Sequence, residues 1–113
     1  MVARNNLLES PPYAVEQALK RVGRNLRQAR LRRNQTIKEV AQRIGTGPRA
    51  VRDAESGKAS TGVGIYAALL WAYDLLDPFD RLADPLTDKD GLALAAAKEG
   101  KRARKSGDLD NEF

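Results

Sequence analysis

Apolar and polar positions along the chain fall into short segments of helical spacing, with no alternating run of the strand type. From Tyr13 to about Arg33, Val15, Leu19, Val22, Leu26 and Ala29 recur at spacings of 4, 3, 4 and 3. Lys20, Arg21, Arg24, Arg27, Arg32 and Arg33 occupy the other faces, so the segment predicts a long amphipathic helix. Thr36-Ile37-Lys38-Glu39 has the form of a capping box, in which the hydroxyl and the carboxylate each accept a hydrogen bond from the other residue's amide. Val40, Ala41 and Ile44 give the short helix behind it an inner side. Gly45 suits the left-handed stop that ends a helix. Thr46-Gly47-Pro48 restarts the chain, with Pro48 at a first helical position. This third helix runs to about Ser56 with Val51 and Ala54 inward, and Gly57 closes it. Two short helices joined by a glycine-containing turn form the helix-turn-helix pattern.

Ser60 or Thr61 is placed to cap a fourth helix, from about Gly62 to Leu76, with Ile65, Tyr66, Leu69, Leu70, Tyr73 and Leu76 on a broad apolar face. Asp77-Pro78 starts a short fifth helix with Phe79 and Leu82 apolar, closed by Asp84-Pro85. The expected fold is all-α, a compact five-helix domain. Residues 1–12 form an N-terminal arm ending in Ser10-Pro11-Pro12, and residues 13–85 form the helix-turn-helix domain. Residues 86–113, short of large apolar groups beyond Leu92 and Leu94, read as a mobile tail unable to bury enough surface to offset the entropy of ordering.

The chemistry available is narrow. The 113 residues, enough for one small domain, include no Cys and no His. That excludes thiol nucleophiles, disulfides, His-based acid–base catalysis and the common zinc sites, so neither an enzyme nor a cofactor is expected. An aromatic fraction of 5% is thin for a single-strand binder that stacks bases. With no apolar run long enough to span a bilayer and no signal-peptide pattern, a cytoplasmic protein is expected. Lys and Arg number 20 against 15 acids, a net charge of +5, unevenly spread. Residues 1–60 carry +8, residues 61–100 carry −4 and the last thirteen +1. A basic half followed by an acidic one fits a polyanion-binding face, or alternatively only a solubilising surface.

Leu26-x3-Arg30, Thr36-x3-Val40-Ala41-x3-Gly45 and Val51-x3-Glu55-x-Gly57-Lys58 together resemble the lambda/434-repressor-like (Xre-type) helix-turn-helix family, over about residues 17–76. A narrower likeness extends to both sides. The stretch from Pro12-Tyr13-Ala14-Val15 to Arg32-Arg33, the segment from Val63-Gly64-Ile65-Tyr66 to Trp71-Ala72, and Leu82-Ala83-Asp84-Pro85 with Asp90-Gly91-Leu92 are similar to regulators encoded beside HipA-type kinase toxins. This HipB-like resemblance implies the DNA-binding, self-repressing member of a toxin–antitoxin operon, with a HipA-like kinase as partner. Two departures stand out. Ile37 replaces a Gln that braces a phosphate in family members, and Gly47 replaces the usual polar N-cap.

The resemblance implies that the third helix enters the major groove of double-stranded DNA, its first residues at base edges. Those positions are Pro48, Arg49, Arg52 and Asp53. Pro48 offers no hydrogen bond, so readout falls to Arg49 and Arg52, whose forked donors suit the O6/N7 edge of guanine. Asp53 either accepts from a cytosine amine or orients Arg49. Thr46, Gly47, Ser56 and Lys58 flank this helix as phosphate contacts, with Arg43 and Arg24 as further candidates. The family pattern pairs Arg30 with Glu55 as a structural salt bridge. Leu70, Trp71, Tyr73, Phe79 and Leu82 supply more apolar surface than so small a unit needs, which points to a homodimer on a palindromic operator; Trp71 alternatively completes the intramolecular core. A protein-interaction antitoxin or adaptor using the fold as scaffold, and an RNA-binding coactivator on the same fold, remain open beside the DNA-binding repressor.

Overall fold

The computed structural model describes residues 6–111, with side chains through residue 104, and their regular structure is entirely helical. Of the expected arm, residues 1–5 lie outside the described residues, and Asn6–Glu9 forms a single turn, α1. The long basic helix, α2, spans Tyr13–Arg32. Ile37–Ile44 (α3) and Pro48–Glu55 (α4) make the helix-turn-helix pair. Val63–Ala72 (α5) and the turn Asp77–Asp80 (α6) follow, and Lys89–Asn111 forms α7.

The chain divides into two compact units, Met1–Phe79 and Asp80–Phe113. The first unit holds the core. Leu26, Ala29, Val40, Ala41, Val51, Ala54, Leu69 and Tyr73 are buried together, with Leu19, Ile37, Ile44 and Leu70 packed against them. Four helices supply this cluster, α4 packing on α2, α3 and α5.

On α2 the buried face differs from the one the side-chain spacing picks out. Leu26 and Ala29 are buried and Leu19 is half-buried, but Val15 and Val22 are exposed. The buried residue of that turn is Gly23. A Cβ built on it would lie 2.5 Å from the Glu55 carbonyl oxygen and 2.7 Å from that of Ala54. The end of α4 therefore lies directly on the α2 backbone, and the absence of a side chain turns the contact face one residue past Val22. Gly57, at φ +72°, makes the reciprocal approach: a Cβ there would lie 2.6 Å from the Leu19 carbonyl oxygen.

Two expectations about α5 are corrected. Helix α5 stops at Ala72, not Leu76, and its N-cap is Gly62, with no side-chain capping bond. Asp74 takes a left-handed conformation (φ 57°), and the Leu75 amide folds back to donate to the Leu70 carbonyl, closing the helix early. Within the segment expected as a tail, Lys89–Asn111 is helical. The Asp88 carboxylate accepts from the Gly91 amide at 3.0 Å as its N-cap, and Ala, Leu, Lys and Arg dominate its sequence. A shortage of large apolar groups rules out a core; it does not rule out a helix of strong formers.

Candidate nucleic-acid interface

The turn between α3 and α4 is built from local signals. The Thr36 hydroxyl accepts from the Glu39 amide at 3.1 Å and the Glu39 carboxylate from the Thr36 amide at 3.2 Å, so α3 starts at a complete capping box. Gly45 ends it at φ 80°, and the Thr46 amide donates to the Ala41 carbonyl at 2.9 Å. Gly47 then caps α4 without a side-chain bond, and Pro48 occupies its first turn. Ile37, the first residue of α3, packs against the core.

Successive residues of an α-helix are turned by about 100°, so Arg49, Arg52, Asp53 and Ser56 share one side of α4. Val51 and Ala54, both wholly buried, hold the opposite side in the core. Arg49 and Arg52 are exposed, and among the described residues neither makes a side-chain hydrogen bond or ion pair. Asp53 turns toward Lys58, with 3.9 Å between carboxylate and ammonium, rather than toward Arg49. At that distance and half-exposed, the pair is weak and readily gives way to a phosphate. The Ser56 hydroxyl donates to the Asp53 carbonyl at 2.9 Å, so it must rotate before it can serve a phosphate. Thr46 is half-buried, while Gly47, Pro48 and Lys58 are exposed around the same helix.

Behind this face, α4 is clamped. Arg30 Nε donates to Glu55 Oε2 at 2.7 Å and its Nη2 to Oε1 at 3.0 Å, a two-bonded pair nearly closed to solvent. Arg30 Nη1 also donates to the Gln35 carbonyl at 3.0 Å. The Glu55 hydrogen bond holds the Arg30 pKa above its ordinary value, against the opposing pull of burial. The Tyr66 hydroxyl donates to the Lys58 carbonyl at 3.1 Å, fixing the chain just past α4 to α5. Tyr66 was legible in the sequence only as part of an apolar face. Arg33, read there as one of the exposed basic residues, donates to the Ala29 carbonyl at 2.9 Å and the Tyr73 carbonyl at 2.8 Å, tying the ends of α2 and α5 together.

The structure separates the five apolar residues assigned to a subunit interface. Tyr73 is fully buried within its own chain, under Arg33 at 5.4 Å from the ring centre, and belongs to the core. Leu70 and Phe79 are half-buried, and Leu82 is exposed. Trp71 is 54% exposed, so it does not complete the core; Arg43, a phosphate candidate, lies over its ring at 5.7 Å.

The family of helix-turn-helix domains matches residues 21–82, more than half of the chain, from the middle of α2 past α6. The chain belongs to that family. No curated protein and no solved structure was found to match it. Helix-turn-helix domains of this kind are DNA-binding regulators, with the second helix of the pair as the reading element. In this helix-turn-helix domain the second helix of the pair is α4, and Arg49 and Arg52 on its outward side make no side-chain hydrogen bond or ion pair among the described residues. No helix among the described residues is long and apolar enough to cross a membrane. The described residues also contain no cluster of three His, Cys, Asp or Glu side chains able to hold a metal ion.

Proposed function

We propose that this protein is a sequence-specific, double-stranded-DNA-binding transcriptional repressor that lays α4 in the major groove. The observation that carries the reading is the sorting of its arginines. Arg30 and Arg33 are consumed by internal bonds, whereas Arg49 and Arg52 stand free, one turn apart, on the outer face of the recognition helix. Each suits a guanine edge, while Lys58, Thr46, Gly47, Ser56 and Arg43 provide or flank the phosphate contacts. Pro48 sets the start of the helix against the bases and donates nothing. Asp53 serves as the acceptor that holds Lys58 until a phosphate displaces it.

The protein acts as a homodimer on a palindromic operator, for which Trp71, Leu70 and Phe79 of the first unit and the exposed Leu82 of the second supply apolar surface. The HipB-like sequence resemblance supports the narrower assignment, a self-repressing component of a toxin–antitoxin operon with a HipA-like kinase as partner. Co-purification with the kinase encoded beside it tests that assignment; the absence of a stable complex removes it. For the DNA reading, the test compares variants on a duplex selected from random sequence by the full chain. Arg49→Ala is expected to cost about 1–3 kcal/mol and relax preference at one base pair, whereas Lys58→Ala weakens all sequences alike. Uniform weakening by both would reduce Arg49 to a phosphate contact and overturn the base-reading role.

A further inference from the structure

Charge along the chain beyond α5 is segregated rather than mixed. Residues 74–90 hold six Asp against Arg81 and Lys89, whereas residues 98–105 hold five basic residues against Glu99 alone. The basic run lies within α7. Lys98, Lys101, Arg102 and Arg104 are all exposed, and at about 100° per residue they fall within roughly half of the helix circumference. Among the described residues none of the four makes an ion pair. A solubilising helix surface usually intersperses the two signs and gains from opposite charges four residues apart. Here Lys98 and Arg102 are like charges at that spacing, with Lys101 three residues from Lys98, an arrangement that costs helix stability in isolation. A partner with closely spaced negative charges along a line turns the cost into a gain, and one is already within reach of the same chain.

We infer that the basic face of α7 is a second, sequence-independent phosphate-binding element, which grips the backbone of the duplex that α4 reads. The inference rests on the DNA-binding reading above. Covalent attachment to a bound helix-turn-helix domain gives α7 a high effective concentration at the flanking phosphates without any fixed orientation between the units. The Asp-rich residues 74–90 are repelled by the same phosphates, so the attraction is confined to the basic run. The element adds affinity, not specificity, because phosphates carry no sequence information.

The test is a two-by-two comparison of the full chain, with and without Lys98→Gln/Lys101→Gln/Arg102→Gln/Arg104→Gln and with and without Arg49→Ala. Each is measured across salt concentrations on a selected duplex and a scrambled duplex of equal length. Gln preserves helix propensity, and circular dichroism checks that the helix content is retained. Each phosphate contact contributes about 0.9 to the slope of log affinity against log salt. The quadruple variant is therefore expected to flatten the slope by about 3.6 per chain, lower affinity for both duplexes by the same factor and leave their ratio unchanged. An unchanged slope, with the unsubstituted chain bound and the Arg49→Ala variant less selective, overturns the α7 element and leaves the α4 reading standing. A quadruple variant that loses the preference for the selected duplex also overturns it, since the contacts are then base contacts. If the unsubstituted chain binds neither duplex, both readings fall together.

Discussion

At the scale of single residues, the core of this domain depends on an absence. Gly23 stands in the middle of a 20-residue helix, where Gly costs about 1 kcal/mol relative to Ala. Gly23→Ala should recover that propensity, yet its Cβ meets backbone atoms of Glu55, Ala54 and Gly57 at under 3 Å, none of which can rotate away. The net expectation is a loss of about 1–3 kcal/mol in urea unfolding; a more stable variant would show that α2 and α4 separate freely. The sequence did not disclose this, because periodicity scores side chains and Gly23 has none. Tyr73 supports the opposite kind of prediction. Its hydroxyl is buried without a hydrogen-bond partner among the described residues. Burial, with Glu55 nearby, pushes its pKa above the ordinary 10.0, against Arg30 and Arg33. Burial likewise raises that of Tyr66. A raised pKa means that the folded chain keeps a proton which the unfolded chain gives up above pH 10, so this contribution is intact below pH 10 and declines as pH rises through the folded value. Tyr73→Phe is expected to unfold at unchanged or slightly higher urea at neutral pH, and with a shallower alkaline decline. A clear loss at neutral pH would mean that the hydroxyl has a partner, such as a bound water.

At the scale of elements, what was legible in the sequence was what is local. The limits of α3 and α4 follow from Thr36 with Glu39, from Gly45 and from Gly47-Pro48, each acting within four residues of its helix end. The end of α5 was not legible, because the apolar run continues through Leu75-Leu76 and the stop depends on a left-handed Asp74 and on Arg33 reaching the Tyr73 carbonyl across 40 residues. Helix α7 is not legible from apolar spacing for a different reason: poverty in core-forming residues says nothing about helix propensity, and its residues are good helix formers. The uncapped start of α4 yields a prediction in which stability and function part company. Gly47 has an extended backbone (φ −83°, ψ 158°) and open space where a Cβ would sit. Gly47→Asp therefore supplies the missing N-cap and is expected to stabilise the fold by a few tenths of a kcal/mol. The same carboxylate stands beside Arg49 at the end of the helix proposed to approach phosphates, so duplex affinity should fall even as the thermal midpoint rises slightly. Equal or tighter DNA binding by this variant would place the start of α4 away from the backbone of the duplex.

At the scale of the whole molecule, the all-helical class and the helix-turn-helix pair were legible in the sequence, but the burial of the apolar residues was only partly so. Spacing separates the sides of a helix without telling which side a neighbouring helix already covers. Tyr73 went to the core, and Trp71 remained outside, 54% exposed beneath Arg43, with Leu75 42% exposed on the chain just beyond it. A Trp so exposed is a large apolar surface for a small unit to leave in water, and one that a second copy can cover while the arginine keeps its charge at the rim. One recognition helix has only Arg49 and Arg52 to read with, too few contacts for tight binding to a half-site. Two copies related by a two-fold axis double them and space the helices by about one turn of DNA, ~34 Å. Trp71→Glu is accordingly expected to shift the sedimenting species at micromolar concentration from dimer to monomer. It should also weaken binding to a palindromic duplex far more than binding to an isolated half-site, because the variant leaves α4 untouched. If the unsubstituted chain sediments as a monomer and still binds the palindrome tightly as one chain per duplex, the two-fold arrangement is wrong, and the Trp71 face is left for a partner other than its own copy.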